Sequence, residues 1–213
     1  MRQSSRLPIA LLAFTVAILI WSGIRPFDYP TWILEVAPAL GGIVILAATS
    51  GRFPFTTLIY TLMAAHMILL VIGGHYTYAL TPPGNWVRDW LHLSRNHYDR
   101  LGHFAQGFVP AMIARELLIR LHVVTTPAWR NFLIVCVCLA ISATYELFEW
   151  STALVLGQKS DSFLGTQGDP WDTQQDMFMA MIGAVCALAS LSRWHDTQLR
   201  RFVNPEQAAL RPR

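Results

Sequence analysis

Long apolar runs separated by short polar stretches dominate the pattern of this chain. Six of the runs approach the roughly 20 residues that a bilayer-crossing helix needs. They cover about 7–24, 31–49, 55–79, 99–121, 129–155 and 172–194. The expected fold is therefore all-α, a polytopic membrane helix bundle with six transmembrane helices. The fourth run is the most polar, carrying His103, Gln106, Arg115 and Glu116, so a re-entrant or interfacial segment is the alternative there. The first run follows Met1 to Arg6 and lacks a clear small-x-small cleavage site, so it reads as a retained helix.

Composition agrees with this reading. Of the 213 residues, 54% are hydrophobic and 14% charged, against about 25% charged in an average soluble domain. Tryptophan (8) and phenylalanine (11) are abundant, as bilayer interfaces and lipid-facing surfaces favour. The net charge of +3 is spread out, so the arginines read as topology signals and not as a nucleic-acid surface. With six crossings, Arg2, Arg6, Arg52, Arg120, Arg130, Arg193, Arg200, Arg201, Arg211 and Arg213 fall on one side. Arg25, Arg88, Arg95, Arg100 and Lys159 fall on the other. That asymmetry puts both termini in the cytoplasm, with residues 1–195 as the membrane domain and 196–213 as a basic cytoplasmic tail. Outer loops are expected over about 80–98 and 157–171, where Gly and Pro collect. Cys136, Cys138 and Cys186 all lie in apolar runs and read as small buried hydrophobes.

Within the spans, ionisable residues recur one helical turn apart at the outer end. The pairs are Asp99 with His103, Glu146 with Glu149, and Asp172 with Asp176. Residues at i and i+3 or i+4 share a helix face, and ionisable side chains inside a membrane are costly unless they meet partners. Facing helices build metal sites from such carboxylates and imidazoles. His103, Glu146, Glu149 and Asp176 are the expected ligands. A mixed O/N set suits Zn, Mn or Fe, and carboxylates alone suit Mg. Asp99, Asp169 and Asp172 are candidate acid/base groups; Arg100, His75 and Gln167 are candidate substrate contacts. Simpler readings stand beside these. Asp172 and Asp176 could serve only as helix N-terminal acids. His66 reads as a helix–helix hydrogen bonder. Glu116 with Arg120 reads as a local i, i+4 ion pair. Walker, dinucleotide, Gly-x-Ser-x-Gly and His-Glu-x-x-His signatures are absent from the sequence.

The segments Asn96–Phe104, Tyr145–Trp150 and Gly165–Met177 together resemble the YjdF-like family of bacterial inner-membrane proteins, over nearly the whole chain. The resemblance implies a multi-span protein of the inner membrane and brings no reaction with it. Asp99/His103, Glu146, and Asp176 ahead of Gly183 are also similar to VanZ-like membrane proteins, although Met179 and Ala180 stand near where that family has an asparagine. That likeness would imply a role at the cell envelope. Three function classes follow: a metal-dependent enzyme on a lipid-linked or cell-envelope substrate, a non-catalytic scaffold with a structural polar layer, and a small proton- or cation-coupled transporter. The apolar inner halves of spans 5 and 6 disfavour the transporter.

Overall fold

The computed structural model describes residues 6–157 and 161–203. Arg2, Lys159, Arg211 and Arg213, used above for topology, lie outside the described residues. The helices in chain order are α1 (Arg6–Ser22), α2 (Tyr29–Thr49), α3 (Thr57–Tyr76), a single 3₁₀ turn (Tyr78–Leu80), α4 (Pro82–Leu91), α5 (Tyr98–Arg120), α6 (Pro127–Leu156), α7 (Asp161–Leu164) and α8 (Asp172–Val203).

Among the described residues, α2, α3, α6 and α8 are long and apolar enough to cross a membrane on composition alone. α1 is apolar but only 17 residues long, about 26 Å at 1.5 Å per residue. α5 has 23 residues, about 34 Å, and falls short on hydropathy rather than length. Its charged residues Asp99, Arg100, Arg115 and Glu116 are all buried within the bundle. Polar groups of membrane helices face the interior in this way because lipid offers them no partner.

Local chemistry sets the helix ends. Asp28 caps α2 by accepting from the Thr31 N–H at 2.8 Å. Proline opens α4 and α6, where its missing N–H costs nothing. The span expected to be an outer loop, 80–98, thus contains a helix. Thr81-Pro82-Pro83 starts α4 instead of breaking the chain, and His92 ends it in the left-handed conformation (φ 54°). α4 carries exposed Trp86, Val87, Trp90 and Leu91, the side chains that settle at a membrane–water interface. At the other end of the chain, α8 continues beyond residue 194 to Val203, so the first part of the expected tail is helix.

α5 is the centre of the bundle. It packs on α8 most extensively and also on α3 and α6, while α1 and α2 pack on α3. Glycines allow the α5–α8 approach. A Cβ on Gly107 would run into the Ala180 carbonyl, and one on Gly183 into the Phe104 carbonyl. Small residues at such crossings bring helix backbones together in membranes, where packing rather than water exclusion drives association. An apolar core of Leu58, Ile59, Met112, Ile134, Cys138, Ala184 and Ala187 fills the middle.

Polar clusters close both ends of this core. At the end where α5 and α8 finish, Glu116 is fully buried. It accepts from the Thr56 N–H (3.0 Å), the Thr56 hydroxyl (2.7 Å), Arg120 Nη1 (2.7 Å) and His195 Nε2 (2.9 Å). Arg115 Nη1 donates to His195 Nδ1 at 3.1 Å, which leaves Nε2 as the protonated nitrogen facing Glu116. The expected Glu116–Arg120 pair is therefore one edge of a network joining α3, α5 and α8.

Because both glycine contacts are to rigid backbone, Gly107→Val and Gly183→Val are expected to cost at least the ~1–3 kcal/mol of an overpacked core. Thermal unfolding in detergent should show both far below wild type. Gly41→Ala, where nothing lies within 4 Å of the added carbon, should be neutral.

Candidate functional site

The end of the bundle where α5 and α8 begin brings together five of the ionisable residues singled out in the sequence. Asp99 and His103 lie on the first turns of α5, Glu146 on α6, and Asp172 and Asp176 on the first turns of α8. All five are buried. Two sub-clusters share this layer.

The first is an arginine cage. Arg100 Nη1 donates to Asp176 Oδ1 (2.8 Å) and to the Asp172 carbonyl (3.0 Å). Its Nη2 donates to Asp172 Oδ1 (2.9 Å) and Asp169 Oδ2 (3.0 Å). Arg95 Nη1 donates to Asp172 Oδ1 at 2.8 Å, and its Nη2 reaches the Gly165 carbonyl at 3.3 Å. Two guanidiniums thus hold three aspartates, and forked arginine–carboxylate contacts are the strongest of their kind. Both terminal nitrogens of Arg100 are engaged, so an anion could reach it only by displacing a carboxylate. Asp169 is partly exposed and held below the ordinary aspartate range. The Trp171 N–H bonded to it is the main cause, with Arg100, Arg95 and Gln175 adding to it. His97, at the start of α5, is pushed below its ordinary value by desolvation and by the neighbouring Arg95 and Arg100.

The second sub-cluster shares Asp176 with the cage. Ligand-capable atoms of Asp99, His103 and Asp176 lie within 4.8 Å of one another. His103 Nδ1 meets Gln106 Oε1 at 3.1 Å, and its Nε2 lies 3.5 Å from Asp99 Oδ1. An outer hydrogen bond of this kind is how metal-ligating histidines are oriented. Glu146 Oε1 is buried without a hydrogen-bond partner, 3.7 Å from His103 Nδ1. A buried unsatisfied carboxylate oxygen is expensive, and a cation or a proton would remove that cost.

Asp99, Gly102, His103 and Gln106 also form one wall of a cavity of about 750 Å³ between α2, α3, α5 and α6. Glu149 lines this cavity and lies outside the three-residue ligand group. Gln167 is engaged with the backbone of Asn96, accepting from its N–H (3.1 Å) and donating to its carbonyl (2.8 Å). His75 lies outside the cavity wall. Its Nδ1 meets the Ser22 carbonyl at 2.8 Å and its ring stacks on Trp21 at 4.5 Å, joining α3 to α1. His66 lines the cavity with its Nε2 buried and unpartnered, in place of the expected helix–helix bond.

Sequence reasoning overlooked Glu35 and Arg95. Glu35 on α2 is buried, lines the cavity, and accepts from the Tyr145 hydroxyl at 3.4 Å. A lone acid in an apolar run was the signal for Glu35. Arg95 sits in a connecting segment and carried none.

An apolar helix bundle with charged layers sealed inside it is a multi-pass integral membrane protein of the inner membrane. Residues 7–197 match the family model described as predicted membrane protein (DUF2238), and the chain belongs to this family. It is 54% identical, over 185 residues, to the inner membrane protein YjdF of Escherichia coli (strain K12), covering 87% of this chain and 88% of that one. No solved structure matches.

Removing Arg100 leaves buried carboxylates uncompensated, a defect that costs about 3–5 kcal/mol. Arg100→Ala should therefore yield little folded protein by size-exclusion in detergent, and Arg100→Lys should recover only part. The depressed Asp169 carboxyl contributes stability that is present at neutral pH and lost as pH falls through its folded value, below the ordinary ~3.9. Unfolding curves of wild type and Asp169→Asn should differ at pH 7 and converge under acid.

Proposed function

We propose that the chain crosses the inner membrane six times with both termini in the cytoplasm, and that its outward half is a divalent-cation site serving a metal-dependent enzyme that acts on a lipid-linked or cell-envelope substrate. The topology reading rests on two facts. The polar residues of α5 are turned inward, and the ends of α1, α3 and α6 lie with the starts of α5 and α8, as alternating crossings require. With this orientation the Asp99/His103 layer faces outward and the Glu116/His195 layer inward.

One observation carries the functional reading. Asp99, His103 and Asp176 gather their ligand atoms within 4.8 Å, beside the unpartnered buried oxygen of Glu146. A bound Zn, Mn or Fe would act as a Lewis acid and lower the pKa of a bound water. His103 and Asp176 are the principal ligands, with Glu146 completing the set and Glu149 further along the cavity wall. Asp99 borders both the ligand group and the cavity and is the best-placed acid/base residue. Asp169 and Asp172 serve instead as positioning residues, since Arg95 and Arg100 engage their carboxylates. Arg100, Gln167 and His75 position the outer loops and α1 and do not contact substrate.

The arginine cage favours a second reading, a non-catalytic scaffold, because such a cage would fasten α5 to α8 whether or not a metal binds. Transport has less support. The apolar core around Ile59, Met112 and Ile134 separates the two polar layers and supplies no relay for protons.

Elemental analysis of the detergent-purified protein tests the proposal. Near-stoichiometric Zn, Mn or Fe is expected in wild type and should fall severalfold in folded His103→Gln and Glu146→Gln variants. Metal-free wild type that remains metal-free after incubation with each ion would leave the scaffold reading.

A further inference from the structure

The cavity between α2 and α6 has features that the cation site does not explain. It runs along α5 from Asp99 to Pro110, about 16 Å at 1.5 Å per residue. Its volume of about 750 Å³ lies within the range of small-molecule sites. The back wall comes from α3 and α5 and the side walls from α2 and α6. Ala37 and Pro38 on one side, and Val137, Ala140, Ile141 and Phe148 on the other, line the cavity and are also exposed. These residues lie within apolar helices, so the cavity opens sideways, towards lipid. The Tyr145–Glu35 hydrogen bond spans the mouth near its outer end.

Glu35, Asp99 and Glu149 contribute carboxyl groups to the wall, His66 and His103 contribute imidazoles, and the wall includes no lysine or arginine. The nearby guanidiniums of Arg95 and Arg100 are turned to the cage on α8. His66 adds a buried, unpartnered Nε2. Prolines at Pro38 and Pro110, both on the wall, deprive the carbonyls of Leu34 and Gln106 of their usual helical donors. Carboxyl groups and hydrogen-bond acceptors therefore line part of an apolar channel entered from the bilayer.

We infer that this cavity binds a single-chain amphiphile with a protonated amine head group, its alkyl chain entering between α2 and α6 and its amine lodged against Glu35 and Glu149. An anionic head group lodged at Glu35 and Glu149 would meet two carboxyl groups with no lysine or arginine on the cavity wall to offset them. The inference does not require the metal site, because neither Glu35 nor Glu149 belongs to the three-residue ligand group. Loss of metal and loss of amphiphile binding are therefore separate results.

The test uses full-length protein in nanodiscs and a photoactivatable alkylamine, with tetradecylamine, tetradecanol and tetradecanoic acid as competitors. Labelling is expected on α2 and α6 peptides, with tetradecylamine competing about tenfold better than the acid, equivalent to about 1.4 kcal/mol. Glu35→Gln/Glu149→Gln should abolish that preference while the chain still competes. Ala140→Trp and, independently, Ala37→Trp should block labelling, because both sit on the rim with their side chains exposed. Equal competition by acid and amine would overturn the amine assignment. Labelling scattered over all lipid-facing helices, or unchanged in both tryptophan variants, would mean that annular lipid alone is being detected and would overturn the site.

Discussion

The cost of holding ionised side chains where neither water nor lipid can solvate them governs this structure. α5 carries Asp99, Arg100 and His103 at one end and Arg115 and Glu116 at the other, all buried. A helix of that composition is not stable facing hydrocarbon. It becomes stable only when neighbouring helices supply counter-charges and hydrogen-bond donors at the right depth. α8 does most of this, through Asp172 and Asp176 at its start and His195 and Asp196 near its end. The glycine contacts at Gly107 and Gly183 bring the two backbones close enough for these short side chains to meet. Backbone approach and charge pairing therefore depend on each other.

The polar layer where α5 and α8 begin divides its carboxylates by environment. Asp169, Asp172 and Asp176 hydrogen-bond guanidiniums and form a fixed strut between α5, α8 and the preceding loop. Glu35, Asp99 and Glu149 border a cavity that supplies no arginine. Groups of the first kind have guanidinium partners and suit a structural part. Groups of the second kind gain most from an incoming cation, proton or donor, because burial without a counter-charge is what makes a carboxylate expensive. Asp176 and His103 sit where the two environments meet. This is why the cation site and the amphiphile cavity adjoin without sharing all their residues.

Much of the fold was legible because its signals are local. Apolar run length marked the six long helices to within a few residues except at the end of α8, and helical spacing marked Asp99/His103 and Asp172/Asp176 as same-face pairs. Other features needed information that no short window holds. Thr81-Pro82-Pro83-Gly84 suits a loop or a helix start equally well, and contact with Asn96, into which a Cβ on Gly84 would collide, accompanies the helix. Glu116 and Arg120 looked like a self-contained local ion pair, yet Thr56 and His195, both distant in sequence, complete the network.

The sequence by itself determined that this is a helical membrane protein, which segments form its long helices, and that acids and histidines gather at one end, since length, hydropathy and periodicity are properties of neighbouring residues. Only the tertiary structure decided which carboxylates those arginines take and which are left to the cavity. That choice depends on how far α5 and α8 are rotated against each other and on where α2 stands opposite α6. Both follow from packing between segments far apart in the chain, so Glu35 and Arg95 acquire their roles only when the bundle is assembled.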